Sequence, residues 1–108
     1  MFEQIESKMS LKNQIKQLIQ TEKVLVFSKS YCPYCDATKS LLRTKGVDFK
    51  LFELDQLPNG DEMQKNLAEI TGQRTVPNVF INKEHIGGNS DLQALEQKGQ
   101  LSKKLANL

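Results

Sequence analysis

Both cysteines of the 108-residue chain lie in one short stretch, KSYCPYCD, in which Cys32 and Cys35 stand three positions apart. Such a pair can form part of a metal site, a structural disulfide or a reversible redox couple. In a helical turn, this spacing places the two Cα atoms within the roughly 4.4–6.8 Å that a disulfide requires. The choice among these roles depends on the elements that present the two thiols.

A buried strand and a helix are predicted on either side of the pair. The apolar, β-branched run VLVFS at 24–28 is too short for a globular helix and typical of a buried strand. The following segment has Pro33 suited to the first helical turn and Gly46 suited to the helix stop. Residues 47–55 alternate as a second strand. The sequence therefore predicts a parallel βαβ unit with a right-handed crossover.

The remaining segments predict more helices and a hairpin. Amphipathic patterns indicate helices at 3–20 and 58–71. The short segments NVFIN and KEHI are too close together for a crossover helix, so we expect them to pair antiparallel. Asn89 or Ser90 is suited to cap another helix, and a last helix is predicted at 101–107. This order predicts an α/β, thioredoxin-like fold, with a four-stranded mixed sheet and helices on both faces.

Length and composition narrow the class of protein. A single domain is predicted over 1–108, with 1–9 as a candidate N-terminal extension of the first helix. The net charge of +2, without an arginine cluster or a basic-aromatic stripe, argues against nucleic acid as a partner. No apolar run is long enough to cross a bilayer, and the first residues lack the apolar core of a signal peptide. We expect a cytoplasmic protein with no membrane partner.

The physical chemistry of a helix N-terminus favours the redox role. If Pro33 is the first helical residue, Cys32 lies where unpaired N–H groups and the helix macrodipole stabilise a negative charge. Thiols in such positions have pKa values of roughly 3.5–7.5, so we expect a nucleophilic thiolate, with Lys29 adding positive charge nearby. A zinc site normally needs four ligands, whereas the chain adds to its two cysteines only His85, in the predicted hairpin. We therefore expect no metal site and place His85 in a turn or on the surface.

Three motifs in order, SYCPYC, QRTVPNVFI and HIGGNSDL, resemble those of a dithiol glutaredoxin, most closely the fungal type. The resemblance runs from about Lys23 to the final helix. It implies reduction of protein–glutathione mixed disulfides and protein disulfides, with glutathione as co-substrate and no tightly bound cofactor. The implied partners are glutathione and glutathionylated or disulfide-containing proteins, and the implied state is a monomer.

The resemblance also implies which residues act. Cys32 attacks the glutathione sulfur of a glutathionylated protein, a second glutathione releases it, and Cys35 resolves mixed disulfides with protein substrates. Gln73 and Arg74 match positions near the glycine carboxylate of glutathione, and Asp91 matches one that answers its ammonium. The segment before Pro77, a cis proline in this fold, pairs its backbone with glutathione. The full set of implied glutathione-binding residues is Lys29, Tyr34, Gln73, Arg74, Thr75, Val76, Pro77, Gly88, Asn89, Ser90 and Asp91.

Two other functions stay open at this point. Some glutaredoxins resemble this chain yet carry an iron-sulfur cluster between two subunits, held by the first cysteine and bound glutathione. CPYC is less typical of that group than CGFS or variants with glycine or serine. The other function is that of a non-catalytic redox adaptor, which would use the groove for a protein partner.

Overall fold

The computed structural model describes residues 9–108, and its four strands form one mixed sheet in the order β2-β1-β3-β4. The predicted four-stranded sheet with helices on both faces is therefore present. In chain order the elements are α1 (Leu11–Thr21), β1 (Val24–Ser28), α2 (Pro33–Thr44), β2 (Lys50–Glu53), a 3₁₀ turn (Leu54–Gln56), α3 (Gly60–Thr71), β3 (Asn78–Ile81), β4 (Glu84–Gly87), α4 (Asn89–Gln97) and α5 (Leu101–Ala106).

The strand pairing follows the predicted connections. β1 and β2 run parallel, with Ser28 opposite Glu53, so the first three elements after α1 form the expected βαβ unit. β3 runs antiparallel to both β1 and β4, and the β3–β4 pair is the predicted hairpin. The carboxyl ends of β1 and β2 therefore meet at one edge of the sheet, and the cysteine motif follows β1 directly.

The central strand β1 is buried along its whole length because helices cover both faces of the sheet. Leu25 and Phe27 belong to the core under α1 and α3. Val24 and Val26 belong to the core under α2, α4 and α5. The Phe27 ring stacks on Phe52 at 5.5 Å between centroids. This two-sided burial explains why the sequence of β1 is continuously apolar rather than alternating.

Within the described residues, the helix predicted at 3–20 starts two residues later than predicted, at Leu11. Residues 3–8 of that prediction lie outside the described residues, and the candidate extension at 1–9 lies almost wholly there. Met9 and Ser10 precede the helix, which begins at Leu11. The Ser10 hydroxyl accepts a hydrogen bond from Asn13 N–H at 3.1 Å and so acts as the N-cap. The amphipathic pattern predicted the helix but not the capping role of Ser10.

Other boundaries differ for local reasons. β2 covers only the centre of the predicted strand at 47–55, because the chain turns into the 3₁₀ segment at Leu54. The Leu57 N–H donates to the Leu54 carbonyl at 3.3 Å and closes this turn.

Neither Asn89 nor Ser90 caps α4. The N-cap is Gly88, whose N–H donates to the Asp91 carboxylate at 2.9 Å, so the cap comes from inside the helix. Within residues 9–108, no helix is long and apolar enough to cross a membrane.

Gly60 marks a close approach between the start of α3 and the 3₁₀ turn. A Cβ at this position would lie 1.8 Å from the Leu54 carbonyl oxygen and 2.7 Å from its carbonyl carbon. Glycine costs a helix about 1 kcal/mol relative to alanine. The backbone contact with Leu54, and not helix formation, therefore explains the glycine.

Replacing Gly60 by alanine should lower the free energy of unfolding by about 2 kcal/mol or more, because the clash is with backbone and outweighs the improved helix propensity. Gly72→Ala, at the other end of the same helix, is the matched control. Its φ is 81° and a Cβ there would meet nothing within 4 Å, so it should lose only about 1–2 kcal/mol. Chemical denaturation of both variants measures the difference. A Gly60 variant as stable as the native protein would contradict the close approach.

Candidate functional site

Cys32 is the N-cap of α2, and Pro33 is its first residue, as predicted. The Cys32 Sγ accepts a hydrogen bond from the Cys35 N–H at 3.3 Å, and the Cys32 carbonyl accepts from Asp36 N–H at 3.0 Å. The sulfur therefore replaces the side-chain oxygen of an ordinary N-cap. Free N–H groups and the helix macrodipole at this point favour a negatively charged sulfur.

Cys35 has the opposite environment. Its side chain is fully buried, and burial raises the pKa of its thiol to about 11, with its hydrogen bond to Cys32 adding to the rise. Hydrogen bonds from the Ser28 hydroxyl and the Lys29 backbone act against this rise. The Cys32 residue is only partly buried, and the two thiols are not joined in this structure. One sulfur is thus accessible and the other is buried and held as a thiol.

The loop before β3 lies against the first cysteine. The Val76–Pro77 peptide is cis, as the resemblance implied, and the Val76 carbonyl oxygen lies 4.0 Å from the Cys32 Sγ. Gln73 holds this loop, because its side-chain amide donates to the carbonyls of Thr75 at 2.9 Å and Pro77 at 2.8 Å. The backbone that faces the nucleophile is therefore fixed by a side chain.

This bracing bears on the predicted role of Gln73. A glutamine amide has two N–H donors, and two backbone carbonyls already accept from Gln73. A contact between these donors and the glycine carboxylate of glutathione would require one of the two to be exchanged. The contact with glutathione stays a prediction, while the bond to the loop is a second role that the sequence did not reveal.

The start of α4 adjoins the same loop. A Cβ on Gly88 would lie 3.6 Å from the Pro77 carbonyl oxygen, so the helix start and the loop are in near contact. The Asn89 side-chain oxygen accepts from the Thr38 hydroxyl of α2 at 2.9 Å, which joins the two helices. Ser90 is exposed. The Asp91 carboxylate already accepts from Gly88 N–H, and this bond engages only one of its oxygens.

The other predicted residues lie on the rim. Tyr34 is 69% exposed, and the neighbouring Tyr31 is 70% exposed. Arg74 is exposed and Lys29 is half-buried, and neither forms a salt bridge within residues 9–108. Unpaired cations suit a ligand with carboxylates. The roles assigned to these residues stay predictions.

Sequence reasoning missed Asp55. Its carboxylate accepts hydrogen bonds from both the hydroxyl and the N–H of Ser30, the latter at 2.9 Å. These bonds, with the hydroxyl contributing most, lower the pKa of Asp55. They tie the loop before Cys32 to the turn after β2. Ser30 follows β1 and Asp55 follows β2, and these two strands are parallel neighbours. Because parallel neighbouring strands end at the same edge of a sheet, the predicted βαβ unit already indicated that Ser30 and Asp55 lie close together.

Metal binding finds no support among residues 9–108, where no three or more His, Cys, Asp or Glu side chains are grouped to hold an ion. His85 is an exposed residue of β4. Its Nε2 lies 2.8 Å from the Asn78 side-chain oxygen, and its ring packs on Phe80 with centroids 5.2 Å apart. His85 thus lies on the surface, in a strand and not in a turn.

The family model for glutaredoxins matches residues 24–86. A glutaredoxin of Ricinus communis is 52% identical over 86 residues, covering 80% of this chain and 84% of the relative. Glutaredoxin-1 of Rhizophagus irregularis is 45% identical over 98 residues, covering 91% and 97%. The crystal structure of a buckwheat glutaredoxin-glutathione complex aligns with a TM-score of 0.87 at 40% identity, covering 90% of this chain and 88% of that one.

The thioredoxin-like sheet and the cysteine pair at a helix N-terminus define a thiol-disulfide oxidoreductase. The match to the family model and to both relatives then shows that the chain belongs to the glutaredoxin family. The predicted family, fold and enzyme class are confirmed: this is a glutathione-dependent thiol oxidoreductase of the dithiol type. A plant and a fungal relative both match, so the identities do not single out the fungal type.

The contrast between the two thiols predicts selective alkylation. At about pH 6 to 7, iodoacetamide should modify Cys32 and leave Cys35 intact, since the thiolate is the reacting form and the Cys35 pKa is about 11. Cys35 should begin to react only as the pH rises towards that value. Peptide mapping by mass spectrometry after a timed reaction measures each site. Equal labelling of the two cysteines at neutral pH would contradict the assigned environments.

Proposed function

We propose that this glutaredoxin reduces protein–glutathione mixed disulfides and protein disulfides, with Cys32 as nucleophile and Cys35 as resolving thiol. One observation carries the proposal: the Cys32 Sγ caps α2 and accepts the Cys35 N–H, while the Cys35 side chain is fully buried. A capped, partly exposed sulfur can be attacked by, or attack, a substrate. A buried thiol beside it can reach only the sulfur of its neighbour.

In the monothiol route, the Cys32 thiolate attacks the glutathione sulfur of a glutathionylated protein. The mixed disulfide of the substrate breaks, the protein thiol leaves, and a Cys32–glutathione disulfide forms. A glutathione thiolate then attacks the glutathione sulfur of that disulfide. Oxidised glutathione leaves and the Cys32 thiolate returns, so each substrate disulfide consumes one free glutathione, and the other half of the oxidised glutathione comes from the substrate.

In the dithiol route, Cys32 attacks a protein disulfide and becomes linked to the substrate. Cys35 loses its proton and attacks the Cys32 sulfur, the substrate leaves as a dithiol, and a Cys32–Cys35 disulfide remains. Two glutathione molecules reduce this disulfide in turn. The sulfur-to-amide contact at 3.3 Å shows the two residues adjacent in one helical turn, as this route requires.

Glutathione recognition is supported by charge and by the relative that binds it. The aligned buckwheat structure is a complex with glutathione. On this chain, Lys29 and Arg74 have no acidic partner within the described residues and are available for a carboxylate. The N–H groups at the start of α4 suit the γ-glutamyl carboxylate, as helix N-termini do for anions in general. Thr75 and Val76 would pair their backbone with glutathione.

The remaining expectations belong to the same proposal. We propose a monomer that acts in the cytoplasm, where the glutathione pool is reducing enough to regenerate the Cys32 thiolate. Light scattering and cell fractionation test these two points. Neither the geometry of residues 9–108 nor the relatives offers a specific observation for the iron-sulfur carrier or the non-catalytic adaptor.

The two routes predict different effects of serine at each cysteine. Cys32→Ser should reduce turnover of a glutathionylated peptide to background, because the nucleophile is lost. Cys35→Ser should retain most turnover on that peptide and lose activity on protein disulfides. A steady-state assay coupled to glutathione reductase measures both substrates. If Cys35→Ser were as inactive as Cys32→Ser on the peptide, the proposed division of labour would be wrong.

Arg74→Gln should raise the KM for glutathione by up to about fivefold with kcat unchanged, because an exposed charge contributes about 0–1 kcal/mol. Lys29→Gln should have a larger effect, since Lys29 is half-buried and a charge-assisted hydrogen bond there is worth roughly 1.5–3 kcal/mol. Gln73→Ala should lower kcat as well, because it also releases the loop beside Cys32. The exposed Lys65, with its charge removed in Lys65→Gln, is the control. A KM unchanged by Lys29→Gln would refute the carboxylate contact.

A further inference from the structure

The loop 72–77 joins α3 to β3 and lies against Cys32. The Gln73 side chain braces this loop from within. A loop that is braced only from within still moves as a body about its two ends, because element ends are where hinges form. Those ends are Thr71, the last residue of α3, and Asn78, the first residue of β3. The contacts between these two ends therefore set where the loop lies relative to the nucleophile.

The hydroxyl oxygen of Thr71 contacts both ends of the loop. It accepts a hydrogen bond from the Gln73 N–H at 3.0 Å, at the start of the loop. It also lies 3.5 Å from the side-chain nitrogen of Asn78, a long hydrogen bond at the end of the loop. The hydroxyl donates its own hydrogen to the Leu67 carbonyl at 2.8 Å, as helical threonines commonly do. The last turn of α3 thus fixes the oxygen that holds the loop ends.

Asn78 extends this network to β4. Its side chain is fully buried, so both ends of its amide need partners. Because the Thr71 hydrogen is donated to Leu67, Thr71 can only accept, and the Asn78 amide nitrogen must face it. The amide oxygen then faces His85 Nε2 at 2.8 Å, and this assignment requires a hydrogen on that nitrogen. The bond from His85 therefore keeps the Asn78 amide aimed at Thr71.

The reaction needs the loop backbone to be placed accurately. Thr75 and Val76 are proposed to pair their backbone with glutathione, and the Val76 carbonyl oxygen is 4.0 Å from the Cys32 Sγ. A misplacement of about 1 Å that arises away from the chemistry can cost about a hundredfold in rate. A disulfide bound along this backbone is therefore in line with the Cys32 sulfur only while the loop keeps its place.

We propose that Thr71 is a positioning residue for glutathione-dependent reduction. Its hydroxyl oxygen, with Asn78 aligned by His85, sets the place of the loop 72–77 against Cys32. The inference rests on the proposed function, because it concerns how the glutathione part of the substrate is presented to the nucleophile. The hydrogen bonds of Thr71 go to the loop ends and to its own helix, so Thr71 acts through the loop and takes no part in the disulfide exchange.

A role in stability alone predicts a different kinetic effect. Loss of stability lowers the fraction of folded enzyme and hence the apparent kcat, while the molecules that remain folded keep the native KM. A displaced loop instead changes how every folded molecule holds the substrate, so it changes the KM. The KM for a glutathionylated peptide, measured at fixed glutathione in an assay coupled to glutathione reductase, separates the two roles.

The test compares variants that differ by one hydroxyl group. Thr71→Val keeps the branched shape of the side chain and removes the hydroxyl, and Thr71→Ser keeps the hydroxyl. Thr21→Val is the matched control. Thr21 is the last residue of α1, and its hydroxyl also donates to a carbonyl of its own helix, that of Leu18 at 3.4 Å, far from the loop in sequence.

In Thr71→Val, the KM for the glutathionylated peptide should rise about threefold to tenfold, the change expected when one hydrogen bond that places the loop is lost. The kcat should also fall, as in Gln73→Ala, because both variants release the loop. Thr71→Ser should restore most of the native KM, and Thr21→Val should keep the native KM.

His85→Leu provides an independent variant at an exposed position, and it should raise the KM in the same direction because Asn78 loses its alignment. A native KM in folded Thr71→Val would overturn the inference, as would a raised KM that Thr71→Ser fails to restore. If Thr71→Val does not fold, a native KM in His85→Leu overturns it instead. No turnover of the peptide by the native protein would overturn the proposed function itself.

Discussion

The hydrogen bond from the Cys35 N–H to the Cys32 sulfur is the interaction on which the rest of the site depends. It makes a cysteine the N-cap of α2 and so places one sulfur at the positive end of a helix. The same turn sends Cys35 into the protein, where burial holds it as a thiol. Two chemically identical side chains thus differ in reactivity because they stand three positions apart at the start of a helix. Pro33 begins that helix without the loss of a hydrogen bond.

Rigid elements support this turn from three directions. Asp55 holds the preceding loop through Ser30, and Gln73 holds the loop with the cis peptide by binding its carbonyls. The Asn89 side-chain oxygen, at the start of α4, accepts a hydrogen bond from the Thr38 hydroxyl of α2. The Asp55 and Asn89 contacts join segments distant in sequence, whereas Gln73 braces its own loop. A catalytic sulfur must be held within a fraction of an ångström, and such hydrogen bonds provide this positioning.

The sequence predicted what depends on local pattern and motif. The apolar run of β1, Pro33 at the start of α2 and the glycines after helices are short-range signals, and they placed the cysteine pair correctly. Side-chain contacts, whether within a loop or between segments, could not be predicted in this way. Nothing local indicates that the Gln73 amide turns to its own loop, or that Lys39 is buried against Glu53. The prediction that Asn89 or Ser90 caps α4 was wrong. The side chains of Asn89, Ser90 and Asp91 can all accept a hydrogen bond at a helix start, and in the structure Asp91 accepts the one from Gly88.

The central claim is that helix geometry alone makes Cys32, and not Cys35, the sulfur that receives glutathione. Mass spectrometry measures this most directly. The reduced Cys35→Ser and Cys32→Ser variants are mixed with a glutathionylated peptide, quenched with acid within the first turnover, and digested for peptide mapping. The account predicts glutathione attached to Cys32 in the first variant and none attached to Cys35 in the second. Glutathione found on Cys35 at a comparable rate would contradict it.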